Sequence, residues 1–314
     1  MSPFRRTALG LFLTLAAVGL AAPLLPRWAG FLVTIAIAKA LVALGLLLLM
    51  RTGLVSFGQG LYFAIGAYAA GVGADALKLG DAVPMVLLGA AAAGLAAGVV
   101  GLLLARYRTI FFAMLSLAFS MILYGLLVKT SALGSTDGFN VAARTVFGLA
   151  VDGPVGRFGL YGLAALVAFL GAVGVDRYLR SHLGRLAPAI RDNELRVEYM
   201  GASVRHVVHL HLVMAAVLAG AGGALTALAV GHVDPEAAYW TTSGEFVFVA
   251  ILSGTTSVAA PFAGALLLEL LRSFAYEHAP NTWQLVMGSV MLAIILFLPE
   301  GLWSVFRRRR RVAA

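Results

Sequence analysis

The residues with the clearest capacity for polar chemistry lie together between Gly184 and Gly201, in the run GRLAPAIRDNELRVEYMG. Arg185, Arg191, Asp192, Asn193, Glu194, Arg196 and Glu198 fall within eighteen residues, in a chain otherwise 61% hydrophobic and only 12% charged. A short stretch carrying both signs of charge suits docking of a polar partner, because paired charges set register between surfaces. Elsewhere the chemistry is sparse. Ser56 and Gln59 stand at a glycine-flanked helix start, where they can bond freed backbone groups or a polar group of a passing solute. Ser116 and Ser120, at i and i+4, share one helix face, which serves equally as a pathway face or a helix–helix hydrogen bond.

Lys39 is a lone cation deep in an apolar run, and such a charge needs a carboxylate or carbonyl from another helix. Glu245 and Glu269 are the candidates by depth, and the sequence does not choose between them. His206, His209 and His211 have a spacing that does not put all three on one helix face, so no metal site is expected there. The chain holds no HExxH, no nucleophile–base set and no paired catalytic carboxylates, which argues against an enzyme. It has no GxxxxGK[ST] loop for ATP, and its lack of cysteine excludes thiol chemistry.

The elements that must position these residues are membrane spans. Crossing the bilayer takes about 20 apolar residues. Candidates run over 7–26, 28–50, 55–74, 84–105, 109–129, 159–177, 207–231 and 284–305. The stretch 244–275 is too long for one crossing and is broken near Ser253 to Pro261, which makes ten crossings in all. The expected fold is therefore an all-α, polytopic transmembrane bundle forming a single domain over 1–314, with 184–201 as its cytoplasmic segment. The run after Arg5 and Arg6 is longer than a signal-peptide core, so it reads as a retained first helix.

Orientation follows from Lys and Arg. With the N-terminus in the cytoplasm, the inner segments hold 16 basic residues and the outer ones 6, and both termini are cytoplasmic. The net charge of +9 then marks the inner face, and Arg307 to Arg311 suit anionic lipid rather than nucleic acid. The segments 130–158 and 232–243 fall outside, as connectors, as contacts for a delivery protein or as caps over the pathway.

Six segments in order resemble the LivM-type permease subunits of branched-chain amino acid ABC importers. They are TGLVSFGQGLYFAIGAYAA from Thr52, FFAMLSLAFSMILY from Phe111, GSTDGF from Gly134, the Gly184–Gly201 island, AAVLAGAGGALTAL from Ala215 and LFLPEGLW from Leu296. The resemblance covers nearly the whole chain after about residue 35. It implies the ABC importer permease fold and a bacterial inner-membrane location. It implies translocation of branched-chain or other hydrophobic amino acids, although relatives of the fold also move urea, amides and other small polar solutes. The implied partners are two ABC ATPase subunits, a second permease subunit and a periplasmic substrate-binding protein. ATP would be hydrolysed by the ATPases, and this chain would need no cofactor. The island becomes the ATPase-coupling segment, with Gly184, Arg185, Arg191, Asp192, Asn193, Glu194 and Gly201 as its key residues. A rigid helix between Pro188 and Gly201 is expected to act as the lever. Ser56, Gln59, Ser116 and Ser120 become candidate pathway residues. The chain departs from the family pattern at Gln59, where His is common, at Arg51, and in SGTTSVAAPF from Ser253. A self-sufficient secondary transporter is the competing class, and it would have to use Glu245 and Glu269 as its ion site.

Overall fold

The computed structural model describes residues 26–141, 145–150, 154–297 and 301–303. The expected first span over 7–26 and the arginine run Arg307 to Arg311 lie outside the described residues. Eleven α-helices are present among the described residues: α1 Arg27–Arg51, α2 Gln59–Ala76, α3 Ala82–Leu104, α4 Thr109–Lys129, α5 Pro154–Leu179, α6 His182–Asp192, α7 Glu194–Tyr199, α8 Val204–Val230, α9 Trp240–Ser253, α10 Ala260–His278 and α11 Trp283–Phe297. Five of them, α1, α3, α4, α5 and α8, are long and apolar enough to cross a membrane. Two short antiparallel pairings complete the fold, Phe139–Asn140 with His232–Val233 and Thr145–Val146 with Leu149–Ala150.

A helix that is apolar all round belongs in the interior, and α1 is enclosed accordingly. Leu41 through Leu49 are all buried, surrounded by α8, α5, α9 and α10. Glycines let the neighbouring backbones approach. A Cβ at Gly45 would stand 2.8 Å from Ala215 Cα, and one at Gly222 would stand 2.5 Å from the Ala38 carbonyl oxygen. At the crossing of α2, α3 and α8, a Cβ at Gly66 would strike the Gly220 carbonyl, and one at Gly89 would lie 2.7 Å from the Gly66 oxygen. Such contacts supply the dispersion energy that holds helices together where lipid offers no hydrophobic drive. Of the small-residue pair Gly94 and Gly98, only Gly94 makes a close approach, to Val217.

Local signals set most boundaries. Asp81, Ser181, Asn193 and Ser203 cap α3, α6, α7 and α8 by accepting from the backbone N–H of the second or third helical residue. Gly231 and Gly254, at φ 76° and 81°, end α8 and α9 in a conformation that side chains disfavour.

Three sequence expectations need correction. The helix expected from residue 55 starts at Gln59, and Val55 to Gly58 are unwound. The lever expected as one helix is two, α6 and α7, separated at Asn193, and Pro188 sits inside the first. The connector 232–243 is structured. After pairing with Phe139–Asn140 it turns inward as a 3₁₀ turn at Pro235–Ala238 and leads into α9. The break expected near Ser253 to Pro261 is found between Ser253 and Ala260. Being 14 residues, α9 is about 21 Å long, short of the roughly 30 Å hydrocarbon core.

Candidate functional site

One end of the bundle gathers the polar island. Gly184, Ala187, Ile190 and Val197 are buried and form the anchoring stripe of α6 and α7, at near-helical spacing. Arg185, Arg191, Asp192, Asn193 and Gly201 face outward. Leu195, Tyr199 and Met200 are exposed beside them, Tyr199 at 89%, so the surface mixes charge with apolar anchors. Glu194 turns back to the bundle, where Arg108 Nε lies 2.7 and 2.9 Å from its two carboxylate oxygens. Arg108 Nη1 also donates to the carbonyls of Ala105 and Tyr107. This ties the island to the start of α4. The Arg191 side chain lies over Gly53, whose φ of 80° turns the chain after α1. Arg205 and Arg51 close the same end, donating to the carbonyls of Leu102 and of Thr255 and Thr256.

The four candidate pathway residues come together within the bundle, beside a fifth buried polar residue, Ser243. Ser56, Gln59, Ser116, Ser120 and Ser243 are all 0–3% exposed. Ser116 Oγ accepts from the Phe57 N–H at 3.2 Å and donates to the Ala113 carbonyl at 2.8 Å. Ser56 Oγ accepts from the Gly58 N–H, and Ser243 Oγ accepts from the Gly60 N–H at 2.9 Å. Ser120 Oγ donates to the Ala238 carbonyl at 2.8 Å. These contacts fit the hydrogen-bonding reading of the Ser116/Ser120 pair, since each hydroxyl reaches another element. The unwinding of Val55 to Gly58 follows from the same bonds, because hydroxyls replace the helical partners of these N–H groups. Ser120 is eleven residues into α4, about 16 Å from its start, so Ala238 and the first turn of α9 lie at mid-depth.

Lys39, twelve residues from the end of α1, is also about 18 Å deep. It bonds both candidate carboxylates, Glu245 at 2.7 Å and Glu269 at 2.6 Å. Arg272 Nη1 completes a neutral quartet, 2.9 Å from Glu245 and 3.8 Å from Glu269, with its guanidinium 5.5 Å from the Trp283 ring centroid. Arg272, near the end of the 244–275 stretch, was not among the sequence candidates for this cluster. Of the histidines, His206 is exposed and His211 is buried with its ring edge-on to Tyr178 at 5.3 Å. Among the described residues, no group of three or more His, Asp or Glu side chains could hold a metal ion.

At the opposite end, Asp81 organises the 145–150 hairpin. It accepts from the Val83 and Gly148 N–H groups, both at 2.9 Å, and from the Thr145 hydroxyl at 3.0 Å. Burial pushes its carboxyl up, but the backbone N–H groups of Gly148, Val83 and Phe147 and the Thr145 hydroxyl outweigh that and hold it below the usual carboxylate range.

A bundle of long apolar helices with a charged end and buried polar groups at mid-depth fits a transport protein, and comparison with known proteins agrees. The family model described as "Branched-chain amino acid transport system / permease component" matches residues 28–295, from α1 into α11. The high-affinity branched-chain amino acid transport system permease protein LivM of Escherichia coli (strain K12) is 30% identical over 284 residues, covering 82% of this chain and 65% of that protein. The protein of the same name from Salmonella typhimurium is 28% identical with the same coverage. The chain thus spans just under two thirds of the length of these curated relatives, 65%. No solved structure matches it. The chain is a membrane protein and belongs to the family of branched-chain amino acid transport system permease components.

Proposed function

We propose that the chain is the transmembrane permease subunit of an ATP-binding-cassette importer that carries branched-chain or other hydrophobic amino acids across a bacterial inner membrane. The observation that carries this reading is the α6–α7 island. Its buried stripe fastens it to the bundle, and its other face offers Arg185, Arg191, Asp192, Leu195 and Tyr199 to a partner. A self-sufficient secondary transporter would have no use for such a surface. Its expected ion site is also occupied, because Glu245 and Glu269 are bonded to Lys39.

On this reading the whole chain acts as one permease domain with 184–201 as its coupling segment. Two ATPase subunits dock there, a second permease completes the pathway, and a periplasmic binding protein delivers the solute. ATP is hydrolysed by the ATPases, and this chain is neither an enzyme nor a cofactor carrier. Both termini face the cytoplasm, with the arginine tail against anionic lipid. Nucleotide-driven closure of the ATPases moves the island, and the pathway exchanges its open side.

The test is co-purification of the mildly solubilised chain, followed by ATP hydrolysis with binding protein and each candidate amino acid. Recovery of a P-loop ATPase, lost when Arg191 and Glu194 are both charge-reversed, is the expected result. Recovery of the chain alone, with transport in vesicles lacking ATP, would overturn the reading.

A further inference from the structure

Two helices begin partway along the bundle rather than at its ends. Gln59 opens α2 and Trp240 opens α9, and the two starts meet where the Gly60 N–H bonds Ser243 Oγ at 2.9 Å. The approach is close: a Cβ on Gly60 would stand 2.6 Å from that oxygen and 3.1 Å from the Ala237 carbonyl oxygen. Neither N-cap residue, Gly58 or Tyr239, contributes a side-chain capping bond. Every serine around the junction is satisfied by the backbone, as described above. Gln59 is the exception. It is 0% exposed, and neither its Oε1 nor its Nε2 has a hydrogen-bond partner. A buried carboxamide left unpaired bears its full desolvation penalty, so a purely structural residue at this site would be apolar. On the apolar side of the junction, the Phe63 and Phe246 rings stand 5.0 Å apart.

We infer that Gln59 contacts the solute in transit, and that its carboxamide, with the N-terminal ends of α2 and α9, receives the α-carboxylate of an amino acid. This deepens the permease reading and rests on it. Helix N-termini present N–H groups and partial positive charge, which favour an anionic group, most strongly at mid-membrane depth. The Gln59 amide adds a donor without adding a fixed charge that would trap the solute. The adjacent phenylalanines suit an apolar side chain. The junction as described is closed, so the carboxylate enters when α9 parts from α2. Gln59 then gains the partner it lacks, which favours the open, loaded state.

The chain has no native cysteine, so a single thiol reports on this position. Gln59→Cys is reconstituted in liposomes with the ATPases, the second permease and the binding protein, and is probed with a membrane-impermeant thiosulfonate. The expected result is no labelling of this chain at rest, labelling during ATP turnover with leucine-loaded binding protein, and slower labelling as leucine is raised. In parallel, Gln59→Leu should keep assembly and unfold at the same or a higher temperature, yet cut leucine uptake at least tenfold. Gln59→Asn should recover part of that loss. Labelling that ignores ATP and leucine, uptake unchanged in Gln59→Leu, or a lowered unfolding temperature in that variant would each overturn the assignment. Unmodified importer that takes up no leucine with ATP would overturn the permease reading and this assignment with it. Normal uptake by the unmodified importer beside unaffected variants would overturn this assignment alone.

Discussion

Lys39 Nζ lies 2.6 Å from Glu269 Oε1, joining α1 to α10 at mid-depth, and the same ammonium also holds Glu245 of α9. Removing one member of a buried ion pair leaves a charge uncompensated, at a cost of about 3–5 kcal/mol. Lys39→Met should therefore destabilise the purified protein by an amount in that range, read as a fall in thermal unfolding temperature. Lys39→Met combined with Glu269→Gln should recover part of the loss, because Arg272 then balances Glu245. Strictly additive effects in this double-mutant cycle would refute the coupling.

The Arg108–Glu194 pair is partly solvated, with side chains 25% and 35% exposed, so solvent screening limits its worth to stability to about 0–1 kcal/mol. Its consequence is mechanical, because it links the island to α4, the helix that carries Ser116 and Ser120. Arg108→Glu should leave membrane insertion and unfolding temperature nearly unchanged while lowering substrate-stimulated ATP hydrolysis. The swap Arg108→Glu with Glu194→Arg should restore it. If the swap is as defective as the single variant, the pair is not the link.

Gly66 and Gly98 provide a matched contrast. A Cβ at Gly66 meets the backbone of α8, which cannot yield, whereas one at Gly98 meets nothing within 4 Å. Gly66→Ala should destabilise by about 1–3 kcal/mol or more through overpacking. Gly98→Ala should be neutral, or stabilising by roughly 0.5–1 kcal/mol through helix propensity. Equal unfolding temperatures for the two variants would contradict the three-helix crossing.

Asp81 carries the pH dependence of the opposite end. Its carboxyl is depressed in the folded state, so its contribution to stability is fully present above the ordinary carboxylate value of about 3.9 and is lost as pH falls through the lower folded value. Hydrogen exchange of the Gly148 amide, followed from about pH 5 to about pH 2, should lose protection over that window. Asp81→Asn should give low protection that does not change across it. Protection in that variant equal to the unmodified protein would show that the hairpin holds without the carboxylate.

The long helices were legible because apolar length alone specifies them, and α1, α3, α4, α5 and α8 lie where apolar runs stand. The break after Ser253 was legible from the polar run Gly254 to Ser257 just ahead of Pro261, which sits in the first turn of α10. The start of α2 was not, because Val55 and Phe57 read as helical until the Ser56 and Ser116 hydroxyls take the N–H groups of Gly58 and Phe57. The partner of Lys39 was open between two glutamates because periodicity fixes depth but not the neighbouring helix. Arg108 looked like one more basic residue of the inner face, and nothing local revealed its carboxylate 86 residues away. Ser243 carried a faint signal, as a small polar residue in the run Thr241–Thr242–Ser243 at the head of an apolar helix.

The Lys39 contacts also set an order of events during biosynthesis. The carboxylates lie 206 and 230 residues downstream. At about 5–20 residues per second, the ammonium waits roughly 10–45 s after its own synthesis before both partners exist. During that interval α1 can only lean its lysine toward the headgroups or borrow a ligand from the insertion machinery. A helix destined for the interior thus carries a charge that lipid alone does not satisfy, and a chain truncated before Glu245 leaves it without either carboxylate.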